Sequence, residues 1–330
     1  MPSIVEKQVG AIGFGLMGLT WHPQPPPNEE AFSAMSAALR NGSNLWNGGE
    51  IYGTPERNSL HLLKEYFQAN PADINKVVLS IKGGYRPGMM MPDGSEQNIR
   101  RSVDECVRVL DGTIKIDIFE CARVDPHTPI ETTMEVLKTL VEEGKIGGIG
   151  LSEVSAKTIR RAHKVHPIAA VEGELSLWAV DNLENDVLST CANLGIPFIA
   201  YSPLGRGILT GSIKHFDDIP THSFMRHLPK YQADVLDKNM KLVEEVRKMS
   251  LEKNCTMAQL ALAWVKCLSK RPGMPLIIPI PGASTQEHVS ENLRGVELTD
   301  TEAQTLDNIL AVHAVRGQRY GGAGEHLSEL

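Results

Sequence analysis

The sequence lacks the features that mark secreted, membrane-bound and nucleic-acid-binding proteins. Its five cysteines include no CxxC pair, so neither a disulfide framework nor a zinc site is expected, and a reducing, cytoplasmic compartment is favoured. No apolar run approaches the roughly 18 residues that a membrane span requires, and the opening residues, MPSIVEKQVG, do not form a secretory signal. A net charge of −7 gives no sign of a nucleic-acid or membrane partner. We therefore expect a cytoplasmic globular protein with no metal site and no evident obligate protein partner.

Short apolar runs alternate with longer segments of helical periodicity along most of the chain. The predicted strands are Asn44–Trp46, Val77–Ile81, Ile116–Cys121, Ile146–Leu151, Ala169–Glu172, Phe198–Tyr201 and Leu276–Ile280. Helix ends are marked by capping boxes and by stop signals, which are Thr256 with Gln259, Thr299 with Glu302, Asn41-Gly42, Glu143-Gly144 and Leu194-Gly195. Strands separated by helices of this length imply right-handed crossovers and a parallel sheet.

The length of 330 residues is compatible with two domains, but α/β barrels routinely use as many in one. No flexible linker or break in composition divides the chain. The pattern predicts an α/β protein with a (β/α)8 TIM barrel as a single domain over residues 1–330. A short β-hairpin is expected at about residues 9–20, where it would cover one end of the barrel.

Residues 13–18, GFGLMG, match the GxGxxG pattern of dinucleotide-binding folds. In those folds a strand precedes the glycines and a helix opens within them, so that a pyrophosphate meets the helix N-terminus. The residues that follow here, LTWHPQPPP, do not predict a helix, because proline removes the donors that a helix needs. The pattern is therefore read as glycine-rich β-structure or a tight turn, and not as a dinucleotide fold.

Polar residues stand at three predicted strand ends, where a closed barrel carries its catalytic groups. These ends read NGGEIYG from residue 47, KGG from residue 82 and ECARVD from residue 120. Tyr52 and Lys82 form a coherent acid pair, because an ammonium group lowers the pKa of a nearby phenol by favouring phenolate. The alternative, that Tyr52 packs and Lys82 is merely solvated, stays equally open for either residue alone.

Several motifs together resemble the aldo-keto reductases over nearly the whole chain. They are NGGEIYG (47–53), SIKGG (80–84), DIFECARVDP (117–126), GGIGLSE (147–153), VEGELSLW (171–178), AYSPLGRGILTG (200–211) and IPIPGASTQEHVSENL (278–293). The resemblance implies a (β/α)8 barrel that binds NADP(H) in extended form and acts on a small-molecule aldehyde.

Carried over by motif position, the resemblance implies that Tyr52 is the general acid and Lys82 its partner. Asn47 stands where the family has an aspartate, and Ala122 stands where the family has a histidine. The resemblance places Ala122 and the next residue, Arg123, in the substrate pocket. Without the aspartate, a net positive Tyr52–Lys82 pair should stabilise phenolate more, unless desolvation makes Lys82 neutral. Without the histidine, the substrate carbonyl loses a donor worth up to ~3–4 kcal/mol in a preorganised site.

The resemblance also implies a set of cofactor contacts. They are Leu16, Met17, Ser152, Glu172, Tyr201, Ser202, Leu204, Arg206, Ser284, His288, Glu291 and Asn292. Among them, Ser152 would contact the nicotinamide carboxamide, Tyr201 would stack on the nicotinamide and Arg206 would meet the pyrophosphate.

Some of these positions depart from the family pattern. Glu153 and Glu172 replace an Asn and a Gln, and a carboxylate cannot donate to a carboxamide oxygen. Ser284 precedes a helix whose N-terminus could hold a 2′-phosphate, although an ordinary capped helix is the alternative. His288 replaces a frequent arginine, which bears on the preference for NADPH over NADH.

The branch that the chain most resembles is that of the fungal pyridoxal reductases, through WNGGEIYG, RPGMMMPDGS and DIFECARVDP. The resemblance implies NADPH-dependent reduction of pyridoxal to pyridoxine, a step of vitamin B6 metabolism. We hypothesise that the phenolic hydroxyl of pyridoxal hydrogen-bonds its own aldehyde and so replaces the missing histidine, while Ala122 makes room for the substituted ring.

Two alternatives remain open. One is a broad aldehyde or ketone reductase. The other is a cofactor-binding regulatory subunit, like the aldo-keto β-subunits of potassium channels, because Asn47 and Ala122 interrupt the family tetrad. Retention of Tyr52 and Lys82, which carry the proton step, argues against the regulatory alternative.

Overall fold

The computed structural model describes residues 2–327, so residues 1 and 328–330 of the predicted domain lie outside it. Its strands are β1 Ser3–Ile4, β2 Lys7–Gln8, β3 Phe14–Gly15, β4 Leu45–Gly49, β5 Val78–Gly83, β6 Ile118–Cys121, β7 Ile149–Ser152, β8 Ile168–Glu174, β9 Phe198–Tyr201 and β10 Ile277–Pro279. Its α-helices are α1 Met17–Thr20, α2 Asn28–Arg40, α3 Ser59–Ala69, α4 Glu96–Leu110, α5 Ile130–Glu142, α6 Ala156–Val165, α7 Asp181–Glu184, α8 Val187–Leu194, α9 Ala233–Glu252, α10 Met257–Leu268, α11 Gln286–Leu293, α12 Asp300–Val312 and α13 Gly322–Leu327.

Strands β3 to β10 form one parallel sheet in which each strand pairs with the next along the chain. The sheet closes on itself through a parallel bridge between Gly15 and Gly282, supported by a 2.9 Å hydrogen bond from the Gly13 amide to the Pro279 carbonyl. A Cβ on Gly15 would lie 3.0 Å from the Ile280 carbonyl oxygen, so glycine allows the two edges to approach. The predicted (β/α)8 barrel is confirmed.

The N-terminal hairpin lies earlier in the chain than expected. It is formed by the antiparallel strands β1 and β2, and its turn residues Val5 and Glu6 have positive φ angles of 44° and 62°. Residues 9–20, where the hairpin was predicted, instead contain barrel strand β3 and helix α1. That prediction was wrong because β3 pairs over only two residues, too few for a two-residue periodicity to show.

The GxGxxG segment also needs a correction. A single helical turn, α1, does begin at Met17, directly after β3, although no helix was expected there. The dinucleotide fold is nevertheless absent from the described chain, because the barrel strands follow one another in sequence order. A doubly wound dinucleotide-binding sheet reverses its strand order at the binding crevice.

The predicted helix ends are largely confirmed. Both capping boxes form, at Thr256 with Gln259 and at Thr299 with Glu302. Gly195 ends α8 in a left-handed conformation, with φ at 68°. The helical segment before it is divided into α7 and α8, because Asp186 between them also has a left-handed φ of 63°.

Side chains inside the barrel form an apolar layer below a polar one. The lower layer is Leu45, Val78, Ile118, Ala170, Ile199 and Ile278, and Ile4 and Val9 of the N-terminal segment pack beneath it. Two residues further along, β4, β5, β6 and β8 carry Asn47, Ser80, Glu120 and Glu172. Because side-chain direction repeats every two residues in a strand, these polar groups face the same interior, nearer its C-terminal end.

Some features concern the described residues as a whole. Within residues 2–327, no helix is long and apolar enough to cross a membrane. The same part of the chain holds no group of three or more histidine, cysteine or acidic residues that could bind a metal ion. All of its cysteines are free thiols, at positions 106, 121, 191, 255 and 267.

Candidate active site

Lys82 lies between two carboxylates in the upper part of the barrel interior. Its Nζ is 3.3 Å from Glu120 Oε1, and it forms a second, closer ion pair with Glu172 Oε1. Asn47 Nδ2 donates to Glu120 Oε1 at 2.9 Å and to Glu172 Oε2 at 2.7 Å. All four side chains are at most 4% exposed. Asn47, Lys82, Glu120 and Glu172 therefore form one buried unit, which we call the Lys82 network.

The expectation that Lys82 lacks a carboxylate partner is wrong. Asn47 indeed removes one carboxylate, but Glu120 and Glu172 supply two others from strands β6 and β8. Burial disfavours the charged form of Lys82, but the two glutamates more than offset this, and the pKa of Lys82 is raised. Lys82 therefore remains an ammonium group at neutral pH.

The Lys82 network contains one more carboxylate than it has cations. Burial, reinforced by the neighbouring Glu120, raises the pKa of Glu172 to about 8, while Lys82 acts in the opposite direction. Because this pKa lies above neutral, Glu172 retains its proton near pH 7. With that proton the network is electrically neutral.

Tyr52 lies three residues after β4, and a Cβ on Gly49 would lie 3.3 Å from both the Lys82 and the Tyr52 side chains. Its backbone is held from two sides, because its amide donates to the Gly49 carbonyl at 3.2 Å and its carbonyl accepts from Thr20 Oγ1 at 2.6 Å. Trp21 stacks on the Tyr52 ring at a centroid distance of 5.9 Å. These contacts fix the position of the phenol relative to β4.

Tyr52 differs from expectation in its acidity. Burial raises the pKa of Tyr52 to about 12; Lys82 lowers it, while Glu172 and Glu120 raise it further. Lys82 lowers the pKa in the predicted direction, but burial outweighs it, and the two glutamates oppose it further, so the net shift is upward. Tyr52 therefore keeps its proton at neutral pH.

Ala122 and Arg123 directly follow the end of β6. Ala122 is buried, and its amide donates to the Gly83 carbonyl at 2.9 Å. Arg123 is half-buried; its Nη1 donates to the Ala122 carbonyl at 2.6 Å and its Nη2 to Tyr320 Oη at 3.3 Å.

Ser152 at the end of β7 has a hydroxyl with an unmet hydrogen bond. Its Oγ is buried and has no partner among the described residues. Since a buried polar group without a partner costs about 1–3 kcal/mol, such a hydroxyl suits a ligand group at this point. It therefore fits the carboxamide of a nicotinamide ring, as expected from the sequence.

The two glutamates expected beside the nicotinamide are engaged elsewhere. Glu172 belongs to the Lys82 network. Both oxygens of Glu153 accept from Arg319, at 3.1 Å and 2.6 Å, in a buried bidentate ion pair. Glu153 also has a left-handed φ of 52°. Both carboxylates are therefore occupied by protein partners, and neither simply replaces the Asn or Gln side chain that the family has at its position.

The segment after β9 carries four of the predicted cofactor residues. Tyr201 ends the strand, Ser202 and Arg206 have left-handed φ angles of 48° and 56°, and Leu204 is buried. Arg206 Nη2 is 3.5 Å from Glu174 Oε2 and 3.3 Å from Tyr320 Oη. Arg206 is thus held near the barrel mouth, but by long contacts.

The remaining predicted cofactor residues lie where the barrel closes. Leu16 is buried after β3, and Met17 is exposed. At the start of α11, Ser284 and His288 are exposed, and Thr285 Oγ1 accepts from the His288 amide at 3.3 Å. The capped-helix alternative therefore describes the local structure, although it does not exclude an anion beside the exposed side chains.

The last two predicted contacts, Glu291 and Asn292, lie further along α11. Asn292 is buried, whereas Glu291 is half-buried and lines an open groove of about 840 Å³ between the start of α10 and α11. The groove is on the outside of the barrel, and one of its walls is α11, the helix that also carries His288. The predicted contacts therefore run from Ser152 in the barrel mouth to α11 at its rim.

Sequence reasoning missed Glu120, Arg319 and Tyr320. Glu120 could have been found, because it lies two residues after Ile118 on β6 and so faces the barrel interior as Ile118 does. Tyr320, by contrast, reaches the site from the C-terminal segment, where its Oη lies 2.6 Å from Tyr201 Oη. No local pattern around residue 320 indicates that contact.

Comparisons with known proteins agree with this geometry. The sequence profile of the Aldo/keto reductase family matches residues 11–311. A Schizosaccharomyces pombe protein named "Probable pyridoxal reductase 2" is 40% identical over 327 residues, which cover 97% of each chain. A Saccharomyces cerevisiae protein named "Putative pyridoxal reductase" is 39% identical over 93% of this chain and 95% of its own length.

Among solved structures, a glycerol dehydrogenase from Gluconobacter oxydans is similar with a TM-score of 0.80. It is 24% identical in sequence, and the match covers 93% of each chain, so the likeness concerns the fold. The profile match extends from the barrel closure to α12, and both fungal relatives are similar over nearly their full length. This chain is a member of the aldo/keto reductase family.

Proposed function

We propose that this protein reduces pyridoxal to pyridoxine, with NADPH as the hydride source and Tyr52 as the proton donor. The observation that carries the proposal is a protonated, buried Tyr52 beside the Lys82 network, at the end of the barrel where such enzymes hold their substrates. The similarity to two fungal proteins named as pyridoxal reductases supports the choice of substrate. The free cysteines favour a cytosolic site of action.

NADPH, when bound, would supply a hydride to the carbonyl carbon of the substrate. Tyr52 would donate its proton to the carbonyl oxygen, which becomes a much stronger base than a phenolate as the alkoxide forms. The pKa of about 12 keeps Tyr52 protonated until that moment. The ammonium group of Lys82 would then stabilise the phenolate.

Several residues would hold the cofactor. The unpartnered hydroxyl of Ser152 suits the carboxamide, and Tyr201 at the end of β9 would lie against the nicotinamide. Arg206, held by contacts of 3.3 Å and longer, can be recruited by a pyrophosphate. We propose that the exposed Ser284 and His288 face the 2′-phosphate of NADPH, with His288 a weaker phosphate partner than arginine.

The decisive experiment measures NADPH oxidation with pyridoxal for wild type and Tyr52→Phe. Loss of the proton donor should lower kcat by roughly 10²- to 10⁴-fold, because general acid catalysis contributes about that much. NADPH affinity, measured separately by fluorescence, should change little. Tyr66→Phe is the matched control, since Tyr66 is also buried but bonds Asp73 and Ser36 outside the barrel mouth.

Three results would contradict the proposal. Tight NADPH binding without turnover of any aldehyde would instead support a regulatory subunit. Equal rates for pyridoxal and for unrelated aldehydes and ketones would support a broad reductase. Equal activity of wild type and Tyr52→Phe would remove Tyr52 from the proton step.

The identity of the substrate is tested at position 122. Ala122→His restores the carbonyl donor that the family usually has, and a donor in a preorganised site is worth up to ~3–4 kcal/mol. If pyridoxal already supplies its own compensation, kcat/KM should rise for benzaldehyde far more than for pyridoxal. A rise for pyridoxal as large as that for benzaldehyde would count against such compensation.

A further inference from the structure

Four cationic side chains meet at the C-terminal end of the barrel, and three of them have carboxylate partners. These pairs are Lys82 with Glu120 and Glu172, Arg206 with Glu174, and Arg319 with Glu153. Arg123 is the fourth cation. Among the described residues it forms no ion pair with a carboxylate, since the nearby Glu153 is already held bidentately by Arg319.

The acceptors that Arg123 does have are neutral. Nη1 donates to the Ala122 carbonyl at 2.6 Å, and Nη2 donates to Tyr320 Oη at 3.3 Å. A guanidinium group carries five N–H donors in a planar fork, so more donors remain than these two acceptors use. A half-buried guanidinium without a counter-ion is well suited to bind an anionic oxygen.

Arg123 is also close to the reacting groups. It directly follows Ala122, the position from which the family supplies a donor to the substrate carbonyl. Its positive charge reaches the Tyr52 hydroxyl, where it opposes the much larger effect of burial on the pKa. An anionic oxygen bound to Arg123 would therefore lie beside the carbonyl that Tyr52 protonates.

We propose that Arg123 recognises an ionised hydroxyl on the ring carbon next to the aldehyde, binding that oxygen and the carbonyl oxygen together with its planar fork. The ligand class is the ortho-hydroxy aromatic aldehydes in their phenolate form, to which pyridoxal belongs. An ionised hydroxyl cannot donate to its own aldehyde, so Arg123, and not an internal hydrogen bond, supplies the donor that Ala122 lacks. This inference rests on the proposed aldehyde reduction and specifies its substrate class.

The kinetic test compares wild type, Arg123→Gln and Arg123→Lys with three aldehydes. Salicylaldehyde carries the hydroxyl next to the aldehyde, 4-hydroxybenzaldehyde carries it across the ring, and benzaldehyde has none. Arg123→Gln should lower kcat/KM for salicylaldehyde by roughly 10- to 100-fold, the worth of a charge-assisted hydrogen bond. The loss should be at least about tenfold smaller for the other two aldehydes. Arg123→Lys keeps the charge but not the planar fork, so its kcat/KM for salicylaldehyde should lie between those of wild type and Arg123→Gln.

A binding experiment separates this inference from the proposed function. Salicylate, whose carboxylate presents an anionic oxygen beside the ring hydroxyl, is titrated into wild type and Arg123→Gln while tryptophan fluorescence is recorded. Trp21, stacked on Tyr52, is the nearby reporter. Wild type should bind salicylate at least about tenfold more tightly than the variant. Arg161→Gln, which removes an exposed pair with Glu131, is the matched control and should bind as wild type does.

The outcomes are distinguishable. If wild type reduces no aldehyde but still binds salicylate through Arg123, the proposed function fails and the anion site stands. The role of Arg123 is overturned if wild type and Arg123→Gln bind salicylate equally. It is also overturned if Arg123→Gln loses the same fraction of activity with all three aldehydes. Neither result affects the proposed aldehyde reduction.

Discussion

Glu172→Gln should make the protein less sensitive to rising pH. The carboxyl of Glu172 is 2% exposed and has a pKa raised from 4.5 to about 8, chiefly by burial and then by the adjacent Glu120. A glutamine keeps the size and an acceptor oxygen for Asn47 but has no proton to lose. The variant therefore resembles the protonated side chain at every pH.

The direction in which stability changes with pH follows from proton linkage. Between the unfolded pKa of 4.5 and the folded pKa of about 8, the folded protein binds more protons than the unfolded chain. Stability that depends on this group is therefore present at low pH and is lost as pH rises through that range. One proton difference corresponds to about 1.4 kcal/mol per pH unit. Allowing for partial titration near pH 8, wild type should lose about 2 kcal/mol more than Glu172→Gln between pH 6 and pH 8.

The assay is urea unfolding at pH 6, 7 and 8, followed by the fluorescence of the buried Trp46, Trp178 and Trp264. The quantity of interest is the change with pH, because the substitution also alters the contact with Lys82 by a constant amount. Wild type and Glu172→Gln share every other titratable group, so the contributions of those groups to the difference cancel. Glu252→Gln, on the exposed face of α9, is the control for the loss of one negative charge.

Parallel loss of stability in wild type and Glu172→Gln from pH 6 to pH 8 would refute the reasoning. It would mean that both carboxylates are ionised at neutral pH, and that the barrel interior tolerates a net negative Lys82 network. A pH-dependent difference of the same size in Glu252→Gln would likewise show that the effect is not specific to the buried pair.

Three further substitutions test other contacts, each by the free energy of urea unfolding. Arg319→Leu leaves the carboxylate of Glu153 buried without a partner and should cost about 3–5 kcal/mol. Adding Glu153→Gln to the same chain should restore part of that stability. A cost under about 1 kcal/mol would show that water solvates Glu153. Thr256→Ala removes the cap of α10 and should cost about 1 kcal/mol, whereas no change would mean that the capping box contributes nothing. Gly83→Ala places a Cβ 2.5 Å from Ser102 Oγ and should cost about 1–3 kcal/mol through overpacking, and a neutral result would show that β5 shifts freely.

Much of the fold and part of the site are predictable from local sequence. The alternation of strands and helices is visible because each element repeats its apolar residues with its own period, which needs only neighbouring residues to detect. Parallel strands bring their C-terminal ends to one side, so polar residues at those ends, such as Tyr52 and Lys82, were expected to meet. By contrast, β3 was missed because two residues show no period.

The chemistry of the site depends on residues that only the closed barrel brings together. Lys82, Glu120 and Glu172 come from three different strands, and their ion pairs reverse the expected charge balance around Tyr52. A pKa depends on burial and on the distance to other charges, and neither can be read along the chain.

The C-terminal segment shows the same limit. Arg319 and Tyr320 reach residues of β7 and β9 across more than a hundred positions of sequence, and they engage Glu153 and Tyr201. The sequence alone therefore predicted the barrel and placed Tyr52 and Lys82 at its C-terminal end. The acidity of Tyr52, the partners of Lys82 and the unpaired charge of Arg123 were decided by tertiary packing, because all three are sums of contacts between distant segments.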